Sequence, residues 1–268
     1  MTAFDYCFST LGCSQLNLHD VADLAAHHGI RAVELRTLSG TVDLLSALQS
    51  EFENPTAFAE FLDRRQLQVI ALNTSVRLFE STDLCALNPF IAWAEAANVN
   101  YLRIFDGGHQ VSDEDLTRAE QLLNSWQELR AARGLKVDLM IETHDALADA
   151  DQLLAFIDRI PTAKILWDTH HTWARNGDVN GLWHRIKNNV VHLHVKDSKV
   201  KDDGGRQYTL PGKGDFPMPE LLSCLHSHDT RIPLSLEWER HWHPELPPLD
   251  EALMAARVWW RQGDARCA

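Results

Sequence analysis

Four short segments end apolar runs with residues that can bind a cation or move a proton. They are Ile141-Glu142-Thr143-His144, Trp167-Asp168-Thr169-His170-His171, His192-Leu193-His194-Val195-Lys196-Asp197 and Leu236-Glu237-Trp238-Glu239. In chain order they supply Glu142, Asp168, His194 and Glu237, a hard and oxygen-rich donor set. Such a set suits one divalent ion, Mn²⁺, Mg²⁺ or Co²⁺, with Zn²⁺ also accommodated. No cysteine belongs to it, which argues against structural zinc. Any one of these residues alone reads as an ion-paired carboxylate or a core imidazole. The metal reading comes from their recurrence at four successive strand ends and from the cost of burying carboxylates without a partner.

The elements that must position these residues alternate along the whole chain. Short apolar or β-branched runs predict strands at 6–11, 32–35, 68–73, 101–105, 137–142, 164–168, 190–195 and 233–237. Successive starts lie 26 to 43 residues apart, room for one strand and one helix each. Helical spacing of apolar residues covers 17–28, 81–97, 112–133 and 249–261, with Asn17 as an N-cap and Gly29 and Gly134 just past helix ends. Eight such units predict an α/β fold, a single (β/α)8 TIM barrel spanning 1–268. A doubly wound open sheet is the alternative, but no GxGxxG follows the first strand and no P-loop is present. In a barrel the active site lies at the carboxyl ends of the strands, where all four segments fall. The Gly- and Pro-rich stretch 199–219 is expected to be an irregular loop able to cover the site.

Side chains on a strand alternate in direction, so residues of one parity share a face. Met140, Glu142 and His144 share one parity, His192, His194 and Lys196 another, and Ser235, Glu237 and Glu239 a third. Glu142, His194 and Glu237 can therefore enter the barrel mouth together, joined by Asp168. His171 reads as a substrate-binding or outer metal-sphere imidazole, against a helix cap; of His170 and His171, one faces the site. Lys196 suits a developing oxyanion at a sugar carbonyl, against a salt bridge to Asp197. Glu34 is placed to hold His194 or a substrate hydroxyl. Arg103 is a candidate to bind a substrate carboxylate or phosphate, with a structural ion pair the safer reading. Trp173, Trp238 and Trp242 lie beside the motifs and, with Phe8, are candidates to wall the pocket. Trp93, Trp126, Trp183, Trp259 and Trp260 fall in helical patterns and read as core; a Trp259-Trp260 interface in a homo-oligomer stays open.

Bulk properties narrow the function classes. The chain has 268 residues, 45% of them hydrophobic, enough for a sizeable core. Its net charge of −13 argues against binding a nucleic-acid backbone. Cys7, Cys13, Cys85, Cys224 and Cys267 are odd in number and lack CxxC spacing, which reads as free thiols in a reducing compartment. Residues 1–5 do not begin a signal peptide and no apolar run reaches membrane-span length. A cytoplasmic protein without a membrane partner is the expectation.

The motifs resemble those of the xylose-isomerase-like TIM-barrel superfamily of sugar-phosphate isomerases and epimerases. Gly29-Ile30-Arg31-Ala32-Val33-Glu34 and Pro211-Gly212-Lys213-Gly214-Asp215-Phe216-Pro217 join the four segments in carrying the resemblance, in order and spacing, over nearly the whole chain. It implies that Glu142, Asp168, His194 and Glu237 hold one divalent ion. It also implies that Glu142 and Glu237 flank the substrate as acid and base, and that His171 contacts its oxygens. The expected activity is isomerisation or epimerisation of a small ketose or related polyol ketone through an enediolate. A dehydratase acting on a cyclic polyol ketone or dehydroshikimate-like substrate is the first alternative. An apurinic endonuclease and a non-catalytic sugar-binding barrel follow. The endonuclease branch has further histidines at strands three and four and after strand seven. Here those places hold Asn73, Arg103 to Asp106, and Lys199, Lys201, Asp202 and Asp203, with His109 the one residue in its favour.

Overall fold

The structure is a computed structural model that describes residues 5–176, 178–202, 204–226 and 232–265. The described chain opens with β1 (Tyr6–Ser9), α1 (Leu18–His28), β2 (Ala32–Leu35), α2 (Leu44–Glu51), α3 (Pro55–Arg65), β3 (Gln68–Arg77) and α4 (Asn88–Ala96). It continues with β4 (Tyr101–Phe105), α5 (Asp113–Arg133), β5 (Asp138–Glu142), α6 (Ala150–Arg159), β6 (Ile165–Asp168), α7 (Thr169–Asn176) and α8 (Val179–Ile186). It ends with β7 (Val190–Val195), β8 (Asp197–Val200), β9 (Arg206–Thr209), α9 (Met218–His226), β10 (Leu234–Leu236) and α10 (Leu249–Ala265). Eight parallel strands close in the order β1-β10-β7-β6-β5-β4-β3-β2. This is the single (β/α)8 barrel that the alternation predicts.

Local sequence sets the element ends. Asn17 accepts the Asp20 amide at the start of α1, and Gly29 ends that helix at φ 70°. Ser112 and Asp115 form a capping box on α5, and Gly134 ends it at φ 62°. The helix expected over 81–97 begins only at Asn88, with Pro89 in its first turn. Pro89 suits that first turn, where its missing N–H has no helical acceptor to lose. The strand expected over 6–11 stops at Ser9, whose hydroxyl accepts the Leu11 amide and starts a tight 3₁₀ turn.

Alternate strand residues serve two layers. Val33, Leu35, Leu102, Ile104, Ile141, Trp167, Leu193 and Leu236 face the helices in the main core. Phe8 belongs to this layer too and is fully buried, so it does not wall the pocket as the sequence suggested. Cys7, Ala32 and Ile70 form one small cluster and Ala71, Met140 and Leu166 another, within the barrel. Above them the inward positions turn polar. Trp167 is 0% exposed, and truncation to alanine costs about 3–5 kcal/mol by lost burial plus the cavity left.

The stretch 199–219 is not an irregular loop. β8 and β9 pair antiparallel, with Ser198 opposite Tyr208, as an excursion between β7 and α9. Asp197 anchors it by accepting the amides of Gly212, Gly214 and Phe216. No disulfide links cysteines among the described residues; Cys267 lies outside them. Among the described residues, no helix is long and apolar enough to cross a membrane.

Candidate active site

The ends of β5, β6 and β7 and the residue after β10 bring Glu142, Asp168, His194 and Glu237 together. One ligand atom from each lies within 4.8 Å of the other three, and all four residues are buried. His194 Nδ1 is 3.4 Å from Glu142 Oε1, 3.3 Å from Glu237 Oε1 and 4.0 Å from Asp168 Oδ2. Its other nitrogen, Nε2, lies 2.8 Å from Glu34 Oε1. Glu34 thus draws one edge of the ring and leaves Nδ1 directed at the carboxylates. Glu34 is itself held by Ser235 Oγ at 2.8 Å and Asn73 Nδ2 at 3.2 Å, with His192 Nε2 3.2 Å away.

Each glutamate is backed by a buried cation. Arg103 Nε is 3.1 Å from Glu142 Oε2, and its guanidinium stacks 3.8 Å from the centre of the Phe105 ring. Arg103 is therefore committed to Glu142 and to the Thr74 carbonyl rather than open to solvent. Lys196 Nζ contacts Glu237 Oε2, and lies 2.8 Å from Asp168 Oδ2 and 2.7 Å from Glu239 Oε1. Its partners are these three residues, not the adjacent Asp197, which caps the hairpin.

These charges set the protonation states. Burial alone would raise the Glu142 carboxyl, but Arg103 and His194 bring it below the usual range. Burial opposes ionisation of Glu237 too, and His194 and Lys196 override it. Asp168 is pushed up to about 6 by burial, with Lys196 opposing. Burial would lower His194, yet Glu237, Glu34 and Glu142 hold it well above the imidazole range. His171 is driven well below that range by burial, then by Lys196 and His144.

The donor set fits a divalent cation. Both Glu142 oxygens, Asp168 Oδ2 and His194 Nδ1 are buried without a well-aligned hydrogen bond among the described residues. Unsatisfied buried donors and acceptors are costly and uncommon. Around them, once His194 gives up its proton, five carboxylates (Glu34, Glu142, Asp168, Glu237, Glu239) face three cations (Arg36, Arg103, Lys196). The excess of two negative charges is what one divalent ion balances.

The remaining candidates divide. The His171 amide binds Asp168 Oδ1 at 2.8 Å, and its half-buried ring sits 4.8 Å from that of His144. His170 turns under the hairpin, where Nε2 meets Ser198 Oγ at 2.7 Å. Trp173 is half-buried between His170, Phe216 and Arg206. Trp238 packs in the core with its indole N–H on the Pro247 carbonyl, and Trp242 is 54% exposed. His109 is exposed and outside the donor cluster. Arg36, Tyr208 and Arg206 escaped sequence reasoning. Tyr208 donates to Glu239 at 3.3 Å from a strand that was not expected. Glu239 was legible in parity alone.

Comparison with known proteins bears on this geometry. A family profile described as xylose isomerase-like TIM barrel matches residues 22–262. No curated protein matches the sequence. Among solved structures, the probable 3-DHS dehydratase AsbF of Bacillus anthracis is similar, with 18% identity, 94% of this chain and 98% of that chain covered, and a TM-score of 0.74. The IOLI protein with a bound zinc atom shares 17% identity over 99% of each chain, at a TM-score of 0.76. An L-ribulose 3-epimerase shares 14% over 98% of this chain and 96% of that one, at 0.72. At these identities the likeness is one of fold.

Proposed function

The chain belongs to the xylose isomerase-like TIM barrel family, and on that premise we propose that it is a divalent-metal-dependent isomerase or epimerase of a small ketose or related polyol ketone. The observation that carries this reading is the buried convergence of Glu142, Asp168, His194 and Glu237, several of whose ligand atoms have no well-aligned hydrogen bond among the described residues. A divalent ion held by these four residues supplies Lewis-acid polarisation of the substrate carbonyl and so acidifies the adjacent C–H.

The chain's own residues do the rest. Glu142 and Glu237 approach the ligand site from β5 and β10, and both are ionised at neutral pH by the cations behind them. One carboxylate takes the proton from carbon, and the electron pair passes into the carbonyl to give an enediolate. A proton returned to the opposite face of the same carbon gives an epimer; returned to the neighbouring carbon, it gives an aldose–ketose isomer. Lys196 Nζ, an ammonium in contact with Glu237 Oε2, keeps Glu237 ionised and offsets the enediolate's charge. Arg103 keeps Glu142 ionised and in place. His171, neutral under the local charges, offers a hydrogen bond to a substrate hydroxyl.

Glu237→Gln preserves size and should leave the fold intact while reducing turnover by at least about 100-fold, since general acid–base catalysis contributes on that order. Solvent-deuterium uptake into ketoses by the manganese-loaded protein is the assay. A fully active Glu237→Gln protein would overturn the assignment. The likeness to the 3-DHS dehydratase supports a second reading, in which the same enolate expels a β-hydroxyl as water. Ultraviolet absorbance of a conjugated enone separates the two. About three zinc ions per chain would instead favour a nuclease.

A further inference from the structure

Three guanidinium groups surround the Phe105 ring at the barrel mouth: Arg103 at 3.8 Å, Arg77 at 5.8 Å and Arg36 at 5.9 Å from its centre. Two are spoken for. Arg103 pairs with Glu142, and Arg77 with Glu80 and Asp145. Arg36 stands on the segment that follows β2, two residues beyond Glu34, and is 7% exposed. Among the described residues it takes part in no ion pair within 4.0 Å, and its side chain makes one long hydrogen bond, Nη1 to the Val42 carbonyl at 3.5 Å. This guanidinium is little exposed, most of its fork is unmatched, and its remaining donors still reach solvent, so an incoming anion can meet them and offset the desolvation. Its fixed fork matches a carboxylate or phosphate through paired N–H···O bonds. Its guanidinium shares the Phe105 ring with Arg103, the partner of Glu142, which puts a group bound to it on the Glu142 side of the site.

We infer that Arg36 receives an anionic group of the substrate, so that the preferred substrate is a polyol ketone bearing a carboxylate or phosphate rather than a neutral ketose. This rests on the proposed isomerase reading for the identity of the reacting part, but not for the anion contact. The role that sequence suggested for Arg103 thus passes to Arg36, because Glu142 has already taken Arg103. A second cation without an ion pair among the described residues, Arg206, stacks 4.0 Å from the Trp173 ring with a buried, unbonded Nη1. It stands on the hairpin, at the start of β9 and over Trp173, rather than by the Phe105 ring, and serves as the comparison.

The test uses the manganese-loaded full chain and three probes that differ only at one terminal carbon: fructose, its terminal carboxylate fructuronate, and its terminal phosphate ester. Calorimetric binding and solvent-deuterium uptake are measured for each. The expected result is that at least one anion binds about 10- to 100-fold more tightly than fructose, the range of one lost charged hydrogen-bond pair. Whichever anion is favoured identifies the group. Arg36→Gln should collapse that ratio toward unity, and Arg206→Gln should not. Arg36→Lys, which keeps charge but loses the fork, gives the reading should the glutamine variant fail to fold. Equal affinity for fructose and both anions, a ratio that survives Arg36→Gln, or one that collapses only in Arg206→Gln would overturn the inference. Arg36-dependent anion preference without deuterium uptake would sustain it and count against the proposed activity. Uptake with no anion preference would do the reverse.

Discussion

His194 carries a proton that an incoming cation must displace. Glu237, Glu34 and Glu142 raise its affinity for that proton, and Nδ1, the nitrogen that faces Glu142 and Glu237, is the one available to a metal. Its folded value lies above the usual imidazole range, so the proton is held through neutral pH and competes with the ion. Metal affinity should therefore rise with pH across the neutral range, with about one proton released per ion bound. Calorimetry in buffers of different ionisation enthalpy measures this release directly; an affinity independent of pH would remove His194 from the donor set. Glu34 acts one step further out, since it contacts His194 Nε2 rather than the cluster. Glu34→Gln should weaken metal binding by about 10- to 100-fold with little loss of secondary structure, read by competition with a chelating dye.

Two loops hold the site open through carboxylates that accept backbone amides. Asp106, at the end of β4, is fully buried and takes the amides of Gly107, Asp145 and Leu147, at 2.8, 2.9 and 2.6 Å. It thereby fixes the segment that carries His144. Asp106→Ala leaves those amides without acceptors and should cost about 1–3 kcal/mol, measured by urea unfolding. Asp197 does the same for the turn after β9, and Ser198 pins the hairpin to His170. Gly214 sits where any side chain would strike the Asp197 carboxylate, and its Cβ would fall 2.5 Å from the Ser198 carbonyl oxygen. Gly214→Ala should loosen the hairpin and expose it to limited proteolysis at a cost of about 1–3 kcal/mol, while the barrel's far-ultraviolet circular dichroism persists.

For the molecule as a whole, a cation bound to the folded state alone adds stability by mass action. At a metal concentration about 100-fold above Kd the gain is about 2.7 kcal/mol, so Tm should rise by several degrees and fall back on chelation. A Tm indifferent to metal would count against the four-residue centre. The eight strands and the convergence of Glu142, Asp168, His194 and Glu237 were legible in the sequence because both rest on local rules. Apolar runs recur at the spacing of βα units, and side chains of one parity at a strand end face one way, so parity alone aligns Glu142, His194 and Glu237. Glycine and proline in the stretch 199–219 read as a loop; the hairpin there depends on Asp197 reaching amides 15 to 19 residues away, a contact no local pattern encodes. Charge pairing escaped for the same reason. Arg36 and Arg103 are alike in sequence, and Lys196 stands next to Asp197, yet the barrel gives Arg103 to Glu142, leaves Arg36 without a counterion among the described residues, and joins Lys196 to Asp168, Glu237 and Glu239. Sequence by itself determined which residues reach the mouth of the barrel. Only the tertiary structure decided which charges cancel there, because Coulomb attraction follows distance in space and desolvation, and neither is set by distance along the chain.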